Sequence, residues 1–242
     1  MRNLMIAAAG FRGEPWRKHL KIDIGIEGNQ VTNKVTGEVA VLPSGLTFSD
    51  DGNDRVAVFT SAQTGGIQLA HDAGFAPRTG DFTIELIADV DSIWNEPADQ
   101  SQIIPFTFWG TWAAPDQVYV LDSFYNVKNG DFQYIGNRMP GPVDSTANSG
   151  YIVPVLDRTK YVHHVIQRRD NVISFYRDGV LLRSTGISAD IKAPSPSTFR
   201  IMSRRGGGSG NVWWRFIGKL KGFRFTHAAI YPEQSFIPPS RF

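Results

Sequence analysis

The chain of 242 residues contains no cysteine. That absence excludes disulfide staples and thiolate zinc sites, and leaves the burial of apolar side chains to carry stability. Long apolar runs are lacking as well. The Leu4 to Ala9 run behind Arg2 ends after six residues at Gly10-Phe11-Arg12, short of the apolar region of a secretory signal. No later stretch approaches the ~18 apolar residues of a membrane span. A soluble chain without signal peptide or transmembrane segment is the expectation. Charge of one sign is not in excess either: 25 Lys and Arg against 23 Asp and Glu leave a net charge of +2. This argues against a nucleic-acid partner, which would need a strongly basic surface. The pairs Arg168-Arg169 and Arg204-Arg205 read as solvated loop ends.

What is present is strand text. β-Branched and aromatic residues are interspersed with 24 glycines, long helical periodicity is missing, and a chain of this length fits one all-β domain. The clearest strand is predicted over 81–90. There Phe82, Ile84, Leu86, Ala88 and Val90 share one face, and Thr83, Glu85 and Asp89 the other. Ile87 interrupts that second, polar row, which predicts partial cover over it. Further strands are predicted near 103–109, 117–124 and 131–137, within an aromatic-rich stretch from 92 to 152. Asp178-Gly179 supplies the positive φ values of a two-residue hairpin turn. The run Phe216 to Thr226 alternates apolar and cationic residues around Gly218 and Gly222 and reads as a sheet-edge strand followed by an extended tail. Gly206 to Gly210 reads as a strand connection, since the text after it is Asn211-Val212-Trp213-Trp214 and not the Gly-Lys-Ser/Thr of a phosphate cradle. Residues 1–38 lack the sandwich pattern and are assigned to an N-terminal arm, and 39–242 to the sandwich domain.

Several short motifs carry a resemblance. His164-Val165, Tyr176, Asp178-Gly179, Phe216, Gly218, Leu220, Arg224, Thr226 and the strand Asp81-Phe82-Thr83-Ile84-Glu85 resemble the concanavalin A-like lectin/glucanase superfamily, in its laminin-G-like form. The ending, Tyr231 and then Phe236-Ile237-Pro238-Pro239, is similar to the version carried by bacteriophage virion proteins. The resemblance implies an all-β fold, a concanavalin A-like jelly-roll β-sandwich of two antiparallel sheets with an extended N-terminal segment.

Catalytic chemistry is not legible. A glucanase of this superfamily carries Glu-x-Asp-x-x-Glu on one strand, and retaining hydrolysis needs its carboxylates ~5 Å apart. The nearest pair here, Glu85 and Asp89 with Ile87 between them, would be separated by ~13 Å along a strand. His163 and His164 are adjacent on a predicted strand, so they point to opposite faces and cannot clamp one metal. They read as packed or hydrogen-bonded strand histidines. Asp50, Asp51 and Asp54 offer oxygen ligands, and calcium is the one cofactor the resemblance brings into view. They lack the spacing and distal Glu of an EF-hand, so a polar turn is favoured.

Sugar rings present apolar C–H faces to aromatic side chains. Trp112, Tyr125 with Asn126, and Tyr134 with Asn137 are the carbohydrate-binding candidates, and Phe11, Trp16, Trp213 and Trp214 the subunit-contact candidates. Trp213 and Trp214 face opposite ways on a strand, so only one of them enters a core. The expected function is a non-enzymatic structural component of a phage particle, a tail, fibre or capsid-surface protein located in the virion. It would contact other virion proteins and copies of itself. The alternatives are a carbohydrate-binding module recognising host surface glycans, and a glycan hydrolase or lyase.

Overall fold

The computed structural model describes residues 15–60, 66–70, 72–90, 102–110, 119–126, 131–136, 161–186, 197–204, 214–215 and 218–239. After a 3₁₀ turn at Pro15–His19, the strands in chain order are β1 Leu20–Glu27, β2 Gln30–Asn33, β3 Glu38–Val39, β4 Thr47–Asp51, β5 Asp54–Phe59 and β6 Ile67–Leu69. A second 3₁₀ turn, Ala73–Phe75, precedes β7 Phe82–Val90, β8 Gln102–Gly110, β9 Tyr119–Asn126, β10 Asp131–Gly136 and β11 Val162–Arg169. The last six are β12 Val172–Arg177, β13 Val180–Gly186, β14 Ser197–Ile201, β15 Ser203–Arg204, β16 Trp214–Arg215 and β17 Gly218–Thr226.

These strands build a ten-stranded antiparallel sheet with the path β13-β12-β11-β7-β17-β1-β2-β3, to which β4 and β5 are added, and a five-stranded sheet β10-β9-β8-β14-β6. A small pair, β15-β16, completes the set. This is the jelly-roll β-sandwich expected from the sequence. Period-two alternation decides its packing. Phe82, Ile84, Leu86 and Ala88 of β7, Phe223 and Phe225 of β17, and Ile22 and Ile24 of β1 are buried in one core cluster with Ile67, Phe199 and Ile201 of the second sheet. Phe199 joins the layers, its ring 5.6 Å from Phe223 and 5.8 Å edge-on from Phe75. Each of the Phe, Leu and Ile side chains, fully buried, contributes about 1.5–3 kcal/mol by leaving water.

Both turns flanking β12 have two residues at positive φ: Asp170 and Asn171, then Asp178 and Gly179. This is the turn twist that matches paired strands. The second turn was legible in the sequence, and the first is its unpredicted twin.

Three expectations change. Residues 20–38, assigned to the arm, form β1, β2 and the first residue of β3 in the large sheet, because Ile22 and Ile24 bury their side chains in the core. β17 is not an edge strand: it lies between β7 and β1, its cations meeting carboxylates instead of solvent alone. Arg168 is no loop end. It is fully buried and donates from Nη2 to Asn171 Oδ1 at 2.6 Å and from Nη1 to Arg78 O at 3.2 Å. Arg204 belongs to β15.

Candidate functional site

The face of the large sheet away from the core is divided between a covered half and an open half. A cross-strand row, Tyr176, Val165, Glu85, Arg224 and Asp23, runs across that face in register. Register therefore sets Glu85 of β7 beside Arg224 of β17. The guanidinium reaches both carboxylate oxygens, with Nε 3.0 Å from Oε2 and Nη2 3.0 Å from Oε1. His163 Nε2 donates to Oε1 at 3.1 Å, and the Tyr231 hydroxyl donates to the same oxygen.

Burial alone would raise the pKa of Glu85, but the Arg224 charge and the hydrogen bonds from His163 and Tyr231 outweigh it and hold the carboxyl below its ordinary range. Tyr231 is driven the other way, by burial first and then by the Glu85 charge, so its hydroxyl stays protonated.

The cover is the C-terminal tail, residues 227–239. Gln167 holds Tyr231 at two points, accepting its N–H at 2.8 Å and donating to its carbonyl at 3.0 Å. Thr83 donates to Ala228 O at 2.8 Å, Tyr176 to Pro232 O at 2.9 Å, and Phe236 N–H to Gly179 O at 2.7 Å. Phe236 stacks on Tyr231 at 3.8 Å between ring centroids and leans on Tyr176 and His163. The expected wet row of β7 is therefore dry: Thr83 and Glu85 are fully buried and Ile87 nearly so. Partial cover was legible at Ile87. Its polar lining was not. Both of its oxygens are engaged under the tail, by Arg224, His163 and Tyr231, so Glu85 fastens β7 to β11, β17 and the tail.

Of the two strand histidines, His163 joins this cluster. His164 lies in register with Leu86 on the opposite face, its pKa pushed down to about 3 by burial and then by the charges of His163 and Arg177. Facing opposite ways, they cannot ligate one metal together, and no group of three potential ligands converges among the described residues. The calcium candidates each meet a cation. Asp50 lies 3.0 Å from Arg55, Asp51 3.4 Å from Lys219, and Asp54 3.2 Å from Lys221. Asp51 also accepts from the Tyr161 hydroxyl at 2.7 Å, which first of all lowers its pKa. The turn reading is the one these contacts support.

The open half holds a cleft of about 200 Å³. It sits at a fork in the sheet. On the side away from β7, β17 pairs with β5 through Gly218–Leu220 and with β1 from Arg224 onward, and its register against β7 slips between Leu220 and Gly222. Such a bulge re-aims side chains; here it leaves Lys221 and bare Gly222 in the lining beside Ile87. Asn53, Asp54 and Arg55 form one wall, Gly25, Ile26 and Lys34 the other. Arg55 braces the walls, donating to Gly28 O at 2.8 Å and Asn29 Oδ1 at 3.1 Å across the β1-β2 turn. Lys221 rests 4.1 Å over the Tyr161 ring. The sequence reading missed this cleft. The parity switch from cationic 219 and 221 to cationic 224 across Gly222 was the signal for it.

Of the carbohydrate candidates, Trp112 and Asn137 lie outside the described residues. Tyr125 and Asn126 end β9, and Tyr134 lies within β10, so all three are on strands. The register row Ile67, Ile201, Phe106, Ser123, Tyr134 begins with two core residues. Of the contact candidates, Phe11 and Trp213 lie outside the described residues, and Trp214 is in β16 opposite Arg204. Trp16 is engaged within its own chain, with the Arg224 guanidinium 5.0 Å from its ring.

No family model and no curated protein matches the chain. Solved structures do. The binding domain of Paraclostridial Mosquitocidal Protein 1 is similar at a TM-score of 0.58 and 14% identity, over 88% of this chain and 50% of that one. Trypanosoma rangeli sialidase in complex with sialic acid is similar at 0.55 and 13%, over 88% and 31%. Domain 4 of an extracellular arabinanase from Geobacillus stearothermophilus, in complex with arabinotriose, is similar at 0.52 and 10%, over 89% and 95%. The chain thus spans half of the first relative and about a third of the second. At these identities the likeness is one of fold.

Proposed function

We propose that this chain is a non-catalytic carbohydrate-binding module. The observation that carries the reading is the likeness to arabinanase domain 4, a domain of matching extent whose structure holds arabinotriose. The toxin binding domain and the sialidase, which is in complex with sialic acid, point the same way. The site chemistry agrees: the buried carboxylate of Glu85 is spent on Arg224, His163 and Tyr231, while a braced polar cleft stays open on the same face. The virion-scaffold role implied by the sequence resemblance gains nothing from these neighbours.

A glycan array with the intact chain tests the proposal, beside an assay for new reducing ends on the bound polysaccharides. Binding without cleavage is the expected result. Absence of binding across the array would overturn the module reading, and release of reducing ends its non-catalytic part. Loss of binding on Tyr125→Ala or Tyr134→Ala alone would place the site on the β9-β10 hairpin.

A further inference from the structure

We infer that the cleft at the fork of β17 is an acidic-sugar site, whose ligand presents a carboxylate or sulfate to Lys34 and Lys221; this rests on the module reading above. Charge is the first argument. The lining carries three cations, Lys34, Arg55 and Lys221, against the single carboxylate of Asp54. Lys221 is balanced by Asp54 at 3.2 Å, and Arg55 by Asp50 at 3.0 Å. Lys34 is exposed and has no ion-pair partner among the described residues. An entering anion therefore meets a cation that gives up no existing partner, and a second, Lys221, held in place by Asp54 and the Tyr161 ring.

Shape is the second argument. Lys34 follows β2 directly, and its stem lies along Gly25 so closely that a Cβ there would sit 2.5 Å from Lys34 Cε. Gly25 has no positive φ to explain it. Its bare backbone instead gives the lysine stem a bed, which lowers the ammonium toward the cleft. The third argument is the mixed floor. The half-buried Ile26 and the methylene stem of Lys34 offer apolar surface to the C–H face of a ring, while Asn53 and Asp54 on the facing wall offer hydrogen-bond partners to hydroxyls. A bare inorganic anion would use the cations and leave that floor idle.

The test titrates the intact chain with oligogalacturonate, a heparin tetrasaccharide and neutral cellotetraose by calorimetry, at low and high salt. The expected result is binding of at least one acidic probe with roughly tenfold or greater preference over the neutral one, in keeping with a charged hydrogen bond. That preference should shrink with salt. Binding of oligogalacturonate shows that a carboxylate suffices, and binding of the heparin probe alone, which carries both groups, shows that a sulfate is needed. Lys34→Glu, on an exposed side chain, should abolish the preference with an unchanged melting temperature, Lys34→Arg should keep it, and Gly25→Ala should weaken it by displacing the stem. Equal binding of acidic and neutral probes, or acidic binding indifferent to Lys34→Glu, overturns the inference and leaves the module reading standing. Failure of all three probes, together with an empty array, removes both.

Discussion

Glu85 and Arg224 are each nearly or fully out of water, at 0% and 5% side-chain exposure, so their energetics are those of a buried pair. Removing one partner strands the other charge, which costs about 3–5 kcal/mol, whereas replacing both with apolar residues of similar size is often close to neutral. Glu85→Gln is expected to lower the denaturation free energy by about that amount, and Glu85→Met with Arg224→Met together by less than either single change. Denaturant titrations of Glu85→Gln, of Glu85→Met and Arg224→Met singly, and of the double variant check this; additive losses would contradict it. Acid stability follows from the same face and the one behind it. The pKa of His164 falls from 6.5 unfolded to about 3 folded, so its contribution is complete above about pH 6.5 and is lost as pH drops toward 3. Glu85, held below its ordinary 4.5, adds a loss that begins near that value and grows as pH falls through the folded pKa. Midpoints measured from about pH 7 down to about pH 4 should decline, and His164→Asn should flatten the upper part of the decline. A pH-independent midpoint over this span would refute the assignment.

At the scale of elements, the tail and the β12-β13 turn specify each other. Gly179 has φ of 74°, and a Cβ built there would land on the Phe236 carbonyl. Gly179→Ala therefore meets both left-handed strain, about 1–3 kcal/mol, and a collision with the tail. The expected outcome is faster amide exchange at Phe236 and Tyr231, whose N–H groups bond Gly179 O and Gln167, while amides within β7 keep their protection. Equal protection of the tail before and after the change would count against the clasp. The β17 bulge works similarly: one extra residue at Lys221-Gly222 lets Phe223 and Phe225 face the core while Arg224 faces the tail. Deleting Gly222 would reverse that assignment.

For the whole molecule, β17 is the shared strand: it pairs with β7, β1 and β5, while the tail that follows it closes the face it helps to build. A chain ending at residue 227 loses the Tyr231 and Phe236 lid and exposes the Glu85 cluster. It should keep its far-ultraviolet strand signature, because the inter-sheet core is untouched, yet melt several degrees lower, at about 2–4 °C per kcal/mol for a chain of this size. An unchanged melting temperature would show that the tail is only laid on the surface. The described residues hold no helix long and apolar enough to cross a membrane, in line with the lack of long apolar runs.

Much of the architecture was legible because it depends on local rules. Alternation in 81–90 assigned the core face of β7, and Asp178-Gly179 placed a hairpin turn. Adjacent His163 and His164 had to part to opposite faces. What alternation cannot state is which strands become neighbours, since a period of two is the same for an edge strand and a central one. The place of 20–39 in the sheet, the central position of β17, the burial of Arg168 and the drying of Glu85 were decided by long-range pairing, which joins residues 139 positions apart in the Glu85–Arg224 bond. So was the cleft, whose lining comes from β1, β5, β7 and β17, four strands that no single segment of the chain encodes.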